Sequence, residues 1–516
     1  KSYLIMKQLK TFNAKPFFLL GIALLSATFF VNAQTTISGN ITDSSDPLPG
    51  VTILEKGTTN GTVSDFDGNY TLSVANQNSV LVFSYIGFLT QEITSDESGA
   101  LDVQMQQDVH KDLGVLIFDP DDDGDNDIYF TSGGNEYDPN SQGYADRFYE
   151  NKGNLNFIQN KNAIPQNRNS NQHISAVDFD HDGDLDLLVG GRLTPKKYPY
   201  PSSSFLLENR SSTDSIKFID VTESKCKELL DIGLVTDSSW VDFNNDGWED
   251  LVLVGEWMPI RFFKNKQGVF QEVTNEVFEV DTNGWWFAVE KGDFDGDGDQ
   301  DLVLGNLGEN YKYQASKEKP FKIYLNDFDK NNKADIVLSY ASEKKEFPVR
   351  GRECSADQIP AIKVKFKDYN SFANASLQEI YTDKMLDESL SYQVKSFQSV
   401  YLENSNGKFI RKPLPTLAQI SNINAIVTHD VDQDGNLDFI VGGNLYNSEV
   451  ETPRNDASFG LWLRGDGEGN FTPIAPYHSG LNIIGDVRNM KLISIHNKNH
   501  LLVAKNNDYL QQIRIN

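Results

Sequence analysis

Side chains rich in carboxylate oxygen recur at alternate positions of a nine-residue stretch, six times between residues 119 and 438 of this 516-residue chain. In the first stretch positions 1, 3, 5, 7 and 9 are Asp119, Asp121, Asp123, Asp125 and Asp127. The second has Asp178, Asp180, Asp182, Asp184 and Asp186, and the fourth Asp293, Asp295, Asp297, Asp299 and Asp301. The third has Asp242, Asn244, Asp246, Trp248 and Asp250. The fifth keeps Asp327, Asp329, Asn331 and Asp335 but carries Lys333 at position 7, and the sixth has Asp430, Asp432, Asp434, Asn436 and Asp438. Position 6 is Gly except for Asn332 in the fifth.

This spacing suits Ca²⁺, a hard cation that takes six to eight oxygens with little angular preference. A tightly curled loop turns positions 1, 3 and 5 toward one point, Gly at 6 permits the turn, the carbonyl at 7 adds an oxygen, and Asp at 9 closes the shell. Without a cation, each loop crowds like charges together, which is unfavourable. The odd positions hold 25 aspartates, close to the formal net charge of −28. Five or six bound Ca²⁺ ions are therefore expected, and the acidity reads as metal ligand. It argues against nucleic-acid partners, which need a cationic face.

The flanks choose the fold. Position 12, a bidentate Glu in an EF-hand, is Phe130, Val189, Leu253, Leu304, Leu338 and Val441 here. Apolar, strand-like runs such as LDLLVGG and LDFIVGG follow the loops, and short strands such as HISAV precede them. A second hairpin signal follows several of them, as in RFYENKGNLNFI and IRFFKNKQGVFQEVT. Four strands per repeat is the make-up of a β-propeller blade. Six loop-bearing units and a loop-free tail from Asp486 predict an all-β fold: a calcium-binding propeller over 109–516, seven blades of about 58 residues each, with an insertion at about 353–395.

Ahead of it, Met6, three lysines, an apolar run from Phe17 to Val31 and Val31-Asn32-Ala33 read as a signal peptide over 1–33, with residues 1–5 upstream. No later stretch is long and apolar enough to form a membrane-spanning helix. Residues 34–108 show short strands at sandwich spacing. Their pieces ISGNITD, PLPGVTI, GTVSDFDGNYTLSV and LVFSYIGF resemble the carboxypeptidase regulatory-like domain, which in Bacteroidetes often precedes the plug of SusC-like, TonB-dependent outer-membrane receptors. No plug and no series of barrel strands follows, so transport is not expected. Asp65, Asp67 and Asn69 read as a hairpin turn.

The loops and their flanks resemble the FG-GAP/VCBS repeat family, with the calcium loops of the integrin α-subunit propeller and the look of large secreted VCBS-repeat proteins of Bacteroidetes. The resemblance implies a secreted, periplasmic or cell-surface protein. No catalytic residue is assigned. His173 and His429 read as strand or turn residues, Trp285-Trp286-Phe287 as interblade packing, Arg350–Glu353 as a salt-bridged loop, and Lys196–Ser204 as a Pro-rich contact loop. No G-x-S-x-G or H-E-x-x-H stands in the chain. Three functions follow: a calcium-stabilised binding or adhesion module for an extracellular glycan or protein, the favoured one; a polysaccharide lyase or other carbohydrate-active propeller; or an accessory part of an outer-membrane uptake complex. Cys226 and Cys354 are too few for a disulfide scaffold.

Overall fold

The computed structural model describes residues 35–516 except 44–45, 86–87, 97, 108–109, 154, 214, 279–280, 344, 449–452 and 516. The signal-peptide reading lies outside them. The chain divides into two units at Val109/His110, one residue past the boundary drawn from sequence.

In the first unit, alternating strands bury one face of each of two sheets. The strand Thr35–Thr42 lies between Asn69–Val74 and Val103–Gln104, and Thr52–Glu55 pairs with Gly61–Val63 and Val80–Ser84, the latter also with Gln91–Thr94. Ile37, Ile41, Ile53, Leu72, Leu81 and Phe83 fill the space between them. Asp65 Oδ1 accepts the N–H groups of Asp67 (3.0 Å) and Asn69 (2.8 Å), closing the turn expected there.

The second unit is a succession of antiparallel sheets. Blade 1 runs in order Asp112–Phe118, Asp127–Ser132, Arg147–Asn151, Phe157–Gln159; blade 2 is Ser170–Val177, Asp186–Leu193, Phe205–Asn209, Phe218–Asp220. Blade 3 is Leu234–Val241, Asp250–Met258, Arg261–Asn265, Phe270–Glu272, and blade 4 is Ala288–Gly292, Asp301–Gly305, Val400–Asn404, Phe409–Pro413. Blade 5 is Ile423–His429, Asp438–Gly443, Leu461–Gly465, Phe471–Ile474, and blade 6 has three strands, Val487–Ile495, Lys498–Lys505 and Gln511–Arg514. The second strand of blades 2 to 5 is apolar on both faces because a neighbouring blade covers each one, and its core residues are almost wholly buried. Five hydrophobic clusters join successive blades, such as that of Phe179, Leu188, Leu251 and Phe263 between blades 2 and 3. Each fully buried Leu or Phe there contributes roughly 1.5–3 kcal/mol.

The insertion is larger than 353–395. It leaves blade 4 after Gly305 and returns at Val400, and holds a sheet of its own (Lys345–Pro348, Asp335–Ser342, Phe321–Asn326, Leu390–Val394) with five short helices between Arg352 and Asp387. The fifth loop lies in this inserted sheet. Six sheets therefore follow one another as blades, and the seventh hangs from the fourth, packed on it and on blade 3 through Trp257, Leu307, Phe321, Ile323, Val394 and Phe397. No helix among the described residues is long and apolar enough to cross a membrane.

Candidate metal centres

Every nine-residue loop connects the first strand of its sheet to the second, so the hairpin fixes both ends: Val177 pairs with Asp186, Val241 with Asp250, and Gly292 with Asp301. Inside the curl, the position-1 carboxylate accepts backbone N–H groups from the far side. In loop two Asp182 N and Gly183 N donate to Asp178 (3.2 and 3.1 Å), and in loop six Asp434 N and Gly435 N donate to Asp430 (3.1 and 3.0 Å). The carboxylate at position 5 takes the N–H of position 7, as Asp297 does from Asp299 (3.0 Å). Gly183 has φ +100° with no atom within 4 Å of where a Cβ would stand, so conformation, not space, demands Gly there. Asn332 meets the same demand in loop five at φ 64°. Position 4 is left-handed too, at Asp122, His181, Asn245, Lys330 and Gln433, which the pattern of odd positions did not show.

The structure gathers one carboxylate oxygen each from Asp119, Asp121 and Asp123; Asp178, Asp180 and Asp186; Asp293, Asp295 and Asp297; Asp327, Asp329 and Asp335; and Asp430, Asp432 and Asp438, within 4.8 Å of one another in each group. Asp119 Oδ1, Asp121 Oδ1, Asp127 Oδ2, Asp180 Oδ1 and Asp299 Oδ1 are buried with no hydrogen-bond partner. A buried carboxylate oxygen without a donor is costly, and a divalent cation is the group that answers this donor set. Burial, followed by the neighbouring carboxylates, pushes Asp127, Asp186 and Asp250 up to about 7. Asp301 stands at about 6 from burial and the charge of Asp295.

Loop three is the exception. Lys264 Nζ lies 2.9 Å from Asp246 Oδ2 and donates to Asn244 Oδ1 (3.2 Å), while Asn244 Nδ2 donates to Asp250 Oδ2 (2.5 Å). No trio of carboxylates gathers there among the described residues. The ammonium sits where a cation's charge is needed, so Lys264→Met is expected to tighten metal binding at this loop about tenfold, read as a change in one class of sites by calorimetric titration. In loop six Arg464 does something similar from the third strand, with Nε 2.6 Å from Asp432 and an Nη 2.7 Å from Asp434. Backbone donation from Asn436 and this guanidinium hold Asp434 below the usual carboxylate range. At position 7, Trp248 stacks on His181 of the neighbouring loop, with centroids 4.0 Å apart.

Sequence reasoning passed over the residues that tie the loops together. Each position-9 carboxylate of loops one to four accepts the N–H of an Asn at the end of the third strand: Asn151 to Asp127 (2.7 Å), Asn209 to Asp186 (2.8 Å), Asn265 to Asp250 (2.7 Å) and Asn404 to Asp301 (2.7 Å). The side chains of three of these reach the preceding loop at position 2: Asn209 to Pro120 O, Asn265 to Phe179 O and Asn404 to Phe243 O, at 2.8–2.9 Å. Gly469 N replaces the Asn clasp onto Phe294 O (3.2 Å). The signal was present, since an Asn ends each of the runs YEN, LEN, FKN and LEN.

The remaining candidates are structural in their contacts. His173 Nε2 lies 2.7 Å from Ser238 Oγ and Nδ1 3.1 Å from Asp237, whose other oxygen accepts Val289 N–H (2.9 Å), so the group bonds the first strands of blades 2, 3 and 4. Burial pushes His173 down to about 4. His429 contacts Asn499 (3.0 Å). Trp286 is buried between blades 3 and 4, and Trp285 and Phe287 pack beside Trp257. Arg352 pairs with Glu353 and donates to Phe366 O (2.7 Å). Cys226 and Cys354 are not joined in a disulfide, and burial pushes the Cys226 thiol up to about 12.

The CarboxypepD_reg-like domain model matches residues 37–113, and the FG-GAP-like repeat model matches 119–189 and 242–304. TonB-dependent receptor P3 of Formosa agariphila is 44% identical over 114 residues, 22% of this chain and 11% of that receptor. TonB-dependent receptor SusC of Bacteroides thetaiotaomicron is 44% identical over 61 residues, 12% of this chain and 6% of the receptor. The chain thus spans about a tenth or less of the length of these relatives. Among solved structures, an Agrocybe aegerita lectin that recognises non-reducing terminal N-acetylglucosamine aligns over 83% of this chain and 90% of its own at 14% identity, with a TM-score of 0.30. Sheets, loops and family matches together make this a mostly β chain in which a CarboxypepD_reg-like domain, akin to the N-termini of SusC-like receptors, is followed by FG-GAP-like repeats.

Proposed function

We propose that this chain is an extracytoplasmic binding module whose blades are held by Ca²⁺ and whose inserted sheet carries the ligand. The convergent carboxylates support the metal: positions 1, 3, 5 and 9 of loops one, two, four, five and six would hold it, with the carbonyl at position 7. Bound Ca²⁺ supplies charge neutralisation and oxygen coordination, and these residues orient the hairpins that carry the blades.

The ligand reading rests on one observation. An open cleft of about 410 Å³ lies between loop five and the Pro-rich excursion, lined by Tyr200, Asn326, Asn332, Lys333, Glu388 and Leu390. Tyr200 is 42% exposed, an apolar ring with a polar tip beside amide, ammonium and carboxylate groups. That mixture suits a sugar face and its hydroxyls, or a polar peptide. A glycan-array screen of the full chain, with and without EDTA, tests it. Tyr200→Ala should weaken any ligand found about tenfold or more with calcium content unchanged, and a ligand indifferent to Tyr200 would place binding elsewhere. The likeness of residues 37–113 to receptor N-termini supports a second setting, as an accessory of an outer-membrane complex, which co-purification would test.

A further inference from the structure

Loop five differs from the others in the charge it shows to solvent. It carries Lys330 and Lys333, whereas no Lys or Arg stands in any other nine-residue loop. Both lysines are exposed, and Lys333 lines the cleft with Tyr200. Neither ammonium has an ion-pair partner among the described residues. In loop three, by contrast, Lys264 is spent on Asp246 and Asn244. The carboxylates of loop five turn inward. One oxygen each from Asp327, Asp329 and Asp335 gathers within 4.8 Å, Asp335 is buried, and Asp327 accepts the N–H groups of Asn331 (2.9 Å) and Asn332 (2.8 Å). The other acidic group of the lining, Glu388, has Lys384 3.8 Å away. In a chain of net charge −28, this cleft presents a cation that nothing neutralises.

Its walls are fixed from both sides. Asn326 donates to Met385 O (2.9 Å) and accepts the N–H of Asp327 (2.8 Å), which ties loop five to the inserted helices. Opposite, Trp257 donates to the Tyr198 hydroxyl (2.6 Å), that hydroxyl donates to Glu256 (3.2 Å), and Lys196 Nζ lies 2.6 Å from Asp138. The excursion is thus anchored before Tyr200, whose ring is left to face the cleft with the exposed side chains of Asn332 and Lys333. Holding such groups in place beforehand lowers the ordering cost of binding.

We infer that the cleft takes an acidic saccharide, whose carboxylate or sulfate pairs with Lys333 while a sugar face lies on Tyr200. The inference rests on the cleft reading given above and adds the class of ligand. An ammonium is a point charge that serves either anion. Only Leu325, Ala334 and Leu390 of the lining are aliphatic, too little to seat the anchor side chains of a peptide. The loop-five carboxylates would oppose the same anion if left uncompensated, so the calcium-loaded protein is the form that binds.

Fluorescence anisotropy of the full chain in excess Ca²⁺ tests it, with end-labelled tetrasaccharides of galactose, galacturonate and sulfated galactose as probes. At least one acidic probe should bind about tenfold or more tighter than the neutral one. Lys333→Gln should erase that advantage and Lys333→Arg should keep it, both with calcium content and melting temperature unchanged, because position 7 gives the ion its carbonyl. Tyr200→Ala separates the two readings. A neutral probe that binds as tightly as the acidic ones and is weakened by Tyr200→Ala overturns the acidic class and leaves the cleft standing. Acidic binding indifferent to both Lys333 and Tyr200 overturns both. Failure of all three probes to bind overturns the inference, and so does a labelled tetraglutamate that binds through Lys333 as tightly as the best saccharide.

Discussion

Excess EDTA is expected to lower the melting temperature of the full chain by about 20 °C or more, with re-addition of Ca²⁺ restoring it. A ligand present at about 100 times its Kd stabilises the fold by about 2.7 kcal/mol per site, and for a unit of this size each kcal/mol moves the midpoint by about 2–4 °C. Five converged carboxylate groups therefore carry enough stabilisation to dominate the apparent stability even if they act with poor additivity. The effect should partition by loop. Asp182→Ala and Asp297→Ala, each at position 5, should remove one bound ion apiece from elemental analysis and lower the midpoint by several degrees. Wild-type stoichiometry in both variants would sink the ligand assignment.

The second expectation concerns the sign of the pH dependence. In the chelated protein Asp127, Asp186 and Asp250 titrate near 7 and Asp301 near 6, all above the unfolded value of about 3.9. The folded state then binds more protons than the unfolded state between about pH 4 and 7. Acidification from 7.5 to 5 should accordingly stabilise the metal-free chain, by about 5 °C or more at the midpoint. His173, lowered to about 4 by burial, works the other way below pH 6.5 but is a single group. With Ca²⁺ present the carboxylates must be ionised to bind it, so the same acidification should destabilise the protein. Thermal melts over this pH range, with EDTA and with Ca²⁺, should give slopes of opposite sign. Parallel slopes would mean that the cation does not sit on these groups.

Much of this was legible because it is local. A nine-residue loop states its ligands at alternate positions, and the apolar run behind it states a strand buried on both faces. What reaches across the chain was less visible. Lys264 lies 14 residues beyond Asp250, and only the pairing of the second and third strands of blade 3 brings it over the loop. Loop five reads as a blade hairpin from its own residues. It stands only 34 residues after loop four, too few to complete a four-stranded sheet between them, and that spacing was the available sign of an insertion. An insertion at about 353–395 was anticipated, but not that a whole sheet belongs to it, because Leu390–Val394 returns to pair with Phe321–Asn326.

The asparagine clasps give the hairpins of loops one to four a common fate. A carboxylate that turns toward an ion also positions the strand end whose amide grips the loop one blade back. Filling one centre would thus pre-order its neighbour's backbone, and emptying it would loosen two junctions at once. Ion loading along this chain would then resemble the zipping of a row of coupled fasteners, with a midpoint sharper than independent centres of equal affinity could produce.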